Sequence, residues 1–343
     1  MNYDKISVRE IAANDSEAWD ELVRSSRQGI EYLLYDFLKM WTETDPTLYL
    51  TRLGCYSGRG QLVGGQAIIH RRVMGVRVQN NLSIFHTSTP ILPDVIQNRG
   101  WMRYEVLAAL ASESRKHFPY LRAEFHPSLN DARPFLEQGW RVAPKYTHVW
   151  DISDPDALLT NMQHKRRQDV RSAQKNMHIH CESGDSILEN FVRLYREDMK
   201  KFGWKPEKSW DDIFKKRVRW MEDRGCFRLY TCRTSDGQLL GMGTYILSHI
   251  NQTAYGWLLA YDHSLNNREF TPAMYWLSAQ DLASEFHYVD LGEGYRPSLY
   301  ATKDSFGNSS VPYWIVATKS TKIWTRVYNK LKAGRQSISK IFS

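Results

Sequence analysis

At 343 residues, with 42% hydrophobic and 24% charged side chains, the chain has a globular composition and enough length for two domains with real cores. The net charge of +8 is local: seven basic residues and no acid lie between Thr318 and Ser343, so the body is near neutral and a general nucleic-acid coat is disfavoured. The start MNYDKISVRE lacks the apolar core of a secretory signal, and no run approaches the roughly 18 apolar residues of a membrane span.

Four cysteines without CxxC spacing (Cys55, Cys181, Cys226 and Cys232) are expected to be free thiols in a reduced cytoplasm. Twelve tryptophans and 19 tyrosines suit a ligand groove or an interface as well as a core.

In chain order, Ile6 to Ile11 reads as a strand. An amphipathic helix follows with Trp19, Leu22 and Val23 on one side, then a second helical piece, Gly29 to Trp41. Strands are predicted at Leu48 to Cys55, Leu62 to Ile69 and Val76 to Ile84. A helix from Met102 to His117, a strand from Tyr120 to Phe125, a short helix Ala132 to Gln138 and a strand Thr147 to Ile152 complete the first half.

The second half repeats this order. Helix Asp156 to Lys175 leads to strand His178 to Cys181, helix Ser186 to Phe202 and a helix near Asp211 to Asp223. Strands Phe227 to Arg233, Leu239 to Ile246 and Thr253 to Ala260 precede a helix Pro272 to Phe286. The strands Tyr288 to Leu291 and Pro312 to Ala317 come last. GQLVGG (Gly60 to Gly65) matches GQLLGMG (Gly237 to Gly243), each at a turn between two strands, so duplication explains the layout. The expected division is 1–152, 153–318 and a basic amphipathic helix over 319–343, with the first boundary at the turn and cap residues DISDPD.

One stretch stands out as a candidate site. The strand Tyr288 to Leu291 empties into Gly292-Glu293-Gly294, and a strand end followed by glycines lets a backbone approach a ligand closely. Beyond it, Lys303 sits among Tyr300, Phe306 and Gly307 and is a candidate for holding a developing negative charge. On the helix before, Arg167, Arg171 and Lys175 are spaced by four and share a face. Arg166 falls in the apolar stripe of Leu159, Met162, Val170 and Ala173 and is expected to be a paired structural arginine. His178 and His180 alternate beside Cys181, but a metal would need a further convergent ligand, and none is expected to bind.

Three passages, RQDVRSAQKNMHIH, the strand pair around DGQLLG, and LYATKDSFG, resemble the GNAT superfamily, and in tandem the Fem-like transferases that add amino acids to peptidoglycan precursors. The resemblance implies an α/β (α+β) fold of two tandem GNAT-like domains, each a mixed, mostly antiparallel sheet flanked by helices. It implies an N-acyltransferase acting on an amine of a cell-wall or surface-glycan precursor. Lys303 would then be the charge stabiliser, Phe306-Gly307 would hold its loop, and Arg167, Arg171 and Lys175 would grip the diphosphate of a nucleotide- or lipid-linked acceptor.

Glu293 and His287 are the nearest proton acceptors in sequence, and each is read as structural before catalytic. The donor stays open between acyl-CoA and aminoacyl-tRNA. The second half has NNREFTPA where a glycine-bearing pyrophosphate loop would stand, whereas the first half has Gln97-Asn-Arg-Gly100 with Met102 in the last place. Against a tRNA donor, no long coiled-coil arm is visible between Trp204 and Gly225. The basic tail has Ile323, Val327 and Leu331 on one stripe, which suits an anionic membrane surface or packing on the body. Two other classes compete: a non-catalytic module holding an anionic glycan or phosphate, and an RNA binder using Arg167, Arg171, Lys175 and the tail.

Overall fold

A computed structural model describes residues 6–318 apart from 74, 80–85, 202, 204–206, 208, 266, 294–296 and 308. The expected helix over 319–343 lies outside the described residues. The chain divides into two units, one running up to Lys145 and taking back the chain from Tyr313, the other Tyr146–Pro312. The first boundary thus falls seven residues before the one the turn signals mark, and the last described strand returns to the first unit.

The first unit contains β1 (Ser7–Glu10), α1 (Ser16–Arg24), α2 (Tyr35–Thr44), β2 (Tyr49–Tyr56), β3 (Leu62–Val73), β4 (Val76–Gln79), β5 (Pro90–Ile91), α3 (Asp94–Gln97), α4 (Gly100–His117), β6 (Arg122–Glu124) and α5 (Arg133–Glu137). Strands β1 to β4 form an antiparallel sheet in chain order, with β5 laid on β3. Helix α1 forms because Trp19, Leu22 and Val23 fall on one face and are buried there, with the Trp19 indole donating to the Leu33 carbonyl at 2.8 Å. The core lies between β2–β3 and α4, from Leu53 and Ile68 to Val106, Leu107 and Leu110.

β7 (Arg141–Asp151) leads into the second unit, which continues with α6 (Pro155–Asn161), α7 (His164–Asn176), β8 (Met177–Cys181), α8 (Asp185–Lys200), α9 (Trp210–Glu222), β9 (Phe227–Thr234), β10 (Leu239–Ser248), β11 (Thr253–Tyr261), α10 (Phe270–Leu282), β12 (Tyr288–Glu293), α11 (Pro297–Asp304) and the start of β13 (Ser309–Ala317). Its strands lie in the order β7-β12-β11-β10-β9-β8, antiparallel except for β11 with β12. The core joins Trp150, Tyr245, Phe270, Met274, Phe286 and Phe306.

The glycines of the internal repeat do the same work in both units. A Cβ on Gly64 of β3 would stand 2.6 Å from the Val106 side chain of α4, and one on Gly241 of β10 would stand 2.5 Å from the Phe270 ring of α10. Each lets a helix settle directly on the third strand of its sheet. The long helix expected over Asp156 to Lys175 is broken: Met162 is extended, and Gln163 N–H donates to the Ser305 carbonyl at 3.0 Å. The loop expected at LYATKD is helix α11. All four cysteines are free, with Cys181 alone exposed. Among the described residues no helix is long and apolar enough to cross a membrane.

Candidate active site

The second unit has an opening in its sheet. β11 and β12 pair in parallel only from Thr253 with Tyr288 to Tyr255 with Asp290. Beyond that, β11 stays with β10 as far as Tyr261, while β12 stays with β7, Glu293 opposite Thr147. Past the parting, the edge of β11 that faced β12 has no strand partner among the described residues. Such an edge is a row of hydrogen-bonding groups ready for an extended ligand. β11 also bulges here, where the register with β10 shifts between Gly243 and Tyr245. The Thr244 hydroxyl fills the gap, accepting from Leu258 N–H at 2.9 Å and donating to the Leu258 carbonyl at 3.1 Å. Beside it, Trp257 packs on Phe214 of α9 and Phe227 of β9.

On the other side of the fork, the end of β12 is tied down by a lysine. The Lys303 ammonium donates to the carbonyls of Leu291, Gly292 and Glu293 at 2.6, 2.9 and 3.1 Å. Successive carbonyls of a regular strand point to opposite sides. Three in a row converge here because the chain leaves the pleat at Gly292, whose φ of 73° few other residues adopt. Asp290 fixes the turn, accepting from Gly292 N–H at 2.8 Å and from the Thr147 hydroxyl. The fully buried His148 sits against the same carbonyl (Nδ1 to Gly292 O, 3.3 Å), with its Nε2 3.1 Å from Asp304 Oδ1. Lys303 is 6% exposed, and burial lowers its pKa to about 8 against the opposing pull of Asp290 and Glu293.

An ammonium has three protons, and three carbonyls take them. The expectation for Lys303 is a stabiliser of an oxyanion; in this arrangement its three protons go to carbonyls.

The start of α7 meets the end of α11. Arg166 donates to the Ser305 hydroxyl at 2.9 Å and to Asp169 at 3.2 Å, and its guanidinium lies 4.8 Å over the Phe306 ring. It is the paired arginine that the apolar stripe predicts. Phe306 is fully buried against Trp150 and Tyr275. Gly307 (φ 72°) lies so close that a Cβ would stand 2.3 Å from the Asn161 carbonyl oxygen. This contact is where the expected long helix is interrupted.

Arg167 is half-buried and donates to the Met162 carbonyl at 3.3 Å, one residue from these contacts. Arg171 and Lys175 are exposed further along α7, Lys175 about 12 Å down the axis from Arg167 at the helical rise. Tyr300 stands 5.8 Å from the His148 ring, and Glu293 is half-buried at the fork. His287 precedes the start of β12, roughly 20 Å of strand from Glu293, and its backbone pairs with Gln252 and Ile152. Sequence reasoning passed over Thr147, His148, Asp290 and Asp304. Their one signal is a pair of polar residues, Thr147-His148, inside a strand that otherwise reads as buried.

Residues 160–298 match the model of the acetyltransferase (GNAT) domain, a span that contains the fork and β10 to β12. The structure of FemX is similar over 94% of this chain and 99% of that one, with 13% identity and a TM-score of 0.64. The C-terminal domain of a putative lysylphosphatidylglycerol synthetase from Agrobacterium fabrum is similar over 90% and 92%, with 12% identity and a TM-score of 0.56. A tandem GNAT protein from the clavulanic acid biosynthesis pathway is similar over 91% and 98%, with 13% identity and a TM-score of 0.52. At such identities the likeness is one of fold. No curated protein is similar enough in sequence to match.

The fork, the bulged strand and the matched segment together define a GNAT acetyltransferase domain. Beyond that matched segment, the chain as a whole has the fold of tandem GNAT proteins.

Proposed function

We propose that the protein transfers an acyl or aminoacyl group, from acyl-CoA or aminoacyl-tRNA, to an amine of a nucleotide- or lipid-linked cell-wall or surface-glycan precursor. The observation that carries this reading is the parting of β11 from β12 inside the segment that matches the GNAT domain. The extended arm of a donor lies along the edge of β11 past its parting from β12 as an added strand, which brings its carbonyl to the bulge at Trp257–Leu258. The acceptor amine attacks that carbonyl, a C–N bond forms, and the C–S or C–O bond to the donor breaks. The amine's proton leaves to water or to the departing group.

Arg167, with Arg171 and Lys175 further along α7, offers a basic face for an acceptor's diphosphate. Likeness in fold to FemX and to a lysylphosphatidylglycerol synthetase supports an acceptor of this general kind. We read the enzyme as cytoplasmic, with the basic segment 319–343 touching the inner membrane face.

The test is to incubate the full chain with acetyl-CoA and amino-sugar precursors and follow thiol release, with aminoacyl-tRNA deacylation as a parallel arm. Transfer from one donor that needs both donor and acceptor is the expected result. Release no faster than hydrolysis in both arms contradicts the proposal.

A further inference from the structure

We propose that Lys303 is a positioning residue: by gathering the carbonyls of Leu291, Gly292 and Glu293 it keeps the end of β12 from zipping onto β11, which leaves the β11 edge free for the acyl donor. This inference rests on the reading of the fork as the donor site.

The argument starts from what β12 would otherwise do. Its pairing with β11 is established through Asp290, and a parallel ladder extends by using alternate carbonyls of each strand. The next carbonyls, those of Leu291 to Glu293, are turned to one side and all bonded to a single ammonium. None of them is presented to β11 as a ladder would require.

The turn is held from several directions. Asp290 takes the Gly292 N–H, Thr147 holds Asp290, and His148 contacts the Gly292 carbonyl from β7 while bonding Asp304, the residue after Lys303. Removing the ammonium takes one donor from each of three carbonyls where water has little access, since Lys303 is 6% exposed. The edge of β11 past Tyr255, which pairs with no strand among the described residues, is the nearest remedy, and taking it closes the fork. An oxyanion stabiliser needs a free N–H, and Lys303 has none.

Two readouts test this. In Lys303→Met, the Michaelis constant for the donor rises about tenfold or more while kcat changes by about threefold or less, the signature of lost donor positioning. Hydrogen–deuterium exchange without any substrate slows in Leu258–Tyr261, because that edge gains a strand partner.

In the wild type the donor Michaelis constant also rises as pH passes through about 8, where Lys303 gives up a proton. The titratable groups facing it, Asp290 and Glu293 on β12, His148 on β7 and Asp304 on α11, remain in the variant, whose profile is flat over that range.

A fall in kcat with donor Michaelis constant and exchange unchanged assigns Lys303 to the chemistry and overturns the proposal. If Lys303→Met does not fold, Lys303→Arg carries the same test. It keeps charge and donors, so donor affinity largely retained supports the proposal, and wild-type exchange with kcat lost defeats it. The exchange arm needs no turnover. A chain that transfers nothing therefore sinks the proposed function while leaving Lys303 decided separately.

Discussion

The two units lay out the same elements and treat the fork in opposite ways. In the second unit one continuous strand, β11, runs past the point where its parallel neighbour leaves it. In the first unit β4 and β5 both pair with β3, and among the described residues the parallel contact there is the bridge of Val78 with Tyr120. The unit then fills the place with its own side chains. The Gln79 amide accepts from Arg122 N–H at 2.6 Å and donates to the Ser88 hydroxyl at 3.0 Å. The Gln66 amide donates to the Ser88 carbonyl and accepts from the Ser114 hydroxyl, both at 2.7 Å. The Thr89 hydroxyl accepts from His126 N–H at 3.0 Å. Buried backbone groups must find partners, and a fold can supply them internally or leave an edge for a ligand. The first unit shows the former, and the proposed donor site in the second would be the latter.

The sharpest way to break the second unit alone is Gly307→Val. A side chain there meets the Asn161–Met162 backbone at 2.3 to 2.9 Å and forces a positive φ on a branched residue. A loss of about 4 kcal/mol or more is expected by chemical denaturation, and a loss near zero would mean that α6 and the α11 segment are not locked together. Gln66→Leu is the matching change in the first unit. It strands the Ser88 carbonyl and the Ser114 hydroxyl and is expected to cost about 1–3 kcal/mol with transfer unchanged. Lost transfer with stability intact would show that the first unit takes part in the reaction.

Arg166→Ala removes two hydrogen bonds and a ring contact and is expected to cost about 1–2 kcal/mol, read by the same denaturation.

The smallest effects are in pH dependence. Burial, helped by Arg77, lowers the pKa of His70 in the first unit from its ordinary 6.5 to about 4. As pH falls from about 6.5 the unfolded chain binds a proton that the folded one refuses, so stability drops down to about pH 4. Lys303 is lowered from 10.5 to about 8, so its contribution rises with pH between about 8 and 10.5. Melting curves of His70→Gln should lose the acid slope, and those of Lys303→Met the alkaline one. Unchanged slopes would mean that neither group titrates where its burial implies.

Much of this was legible in the residues. The paired GQLVGG and GQLLGMG turns announced the duplication, and their glycines prove to be the places where α4 and α10 touch the sheets. Arg166 betrayed itself by sitting in an apolar stripe. Helix α11 was hidden because the glycines before it read as the start of a long loop, and a helix of eight residues has little periodicity to show. The break at Met162 was hidden for another reason: its cause is Gly307, far along the chain. Lys303 was singled out, but not what it holds, because no local pattern reveals that three carbonyls 10 to 12 residues earlier turn toward one ammonium. His148 and Asp290 are polar residues inside buried strands, and no local pattern marks what they bond.

The most direct measurement is a hydrogen-exchange footprint of the wild-type chain with acetyl-CoA and with aminoacyl-tRNA in turn. One of the two should slow exchange in Gly256–Tyr261 of β11 and leave Val76–Gln79 of β4 untouched. Protection confined to β4, or turnover with β11 unprotected, would place the donor elsewhere and contradict the account.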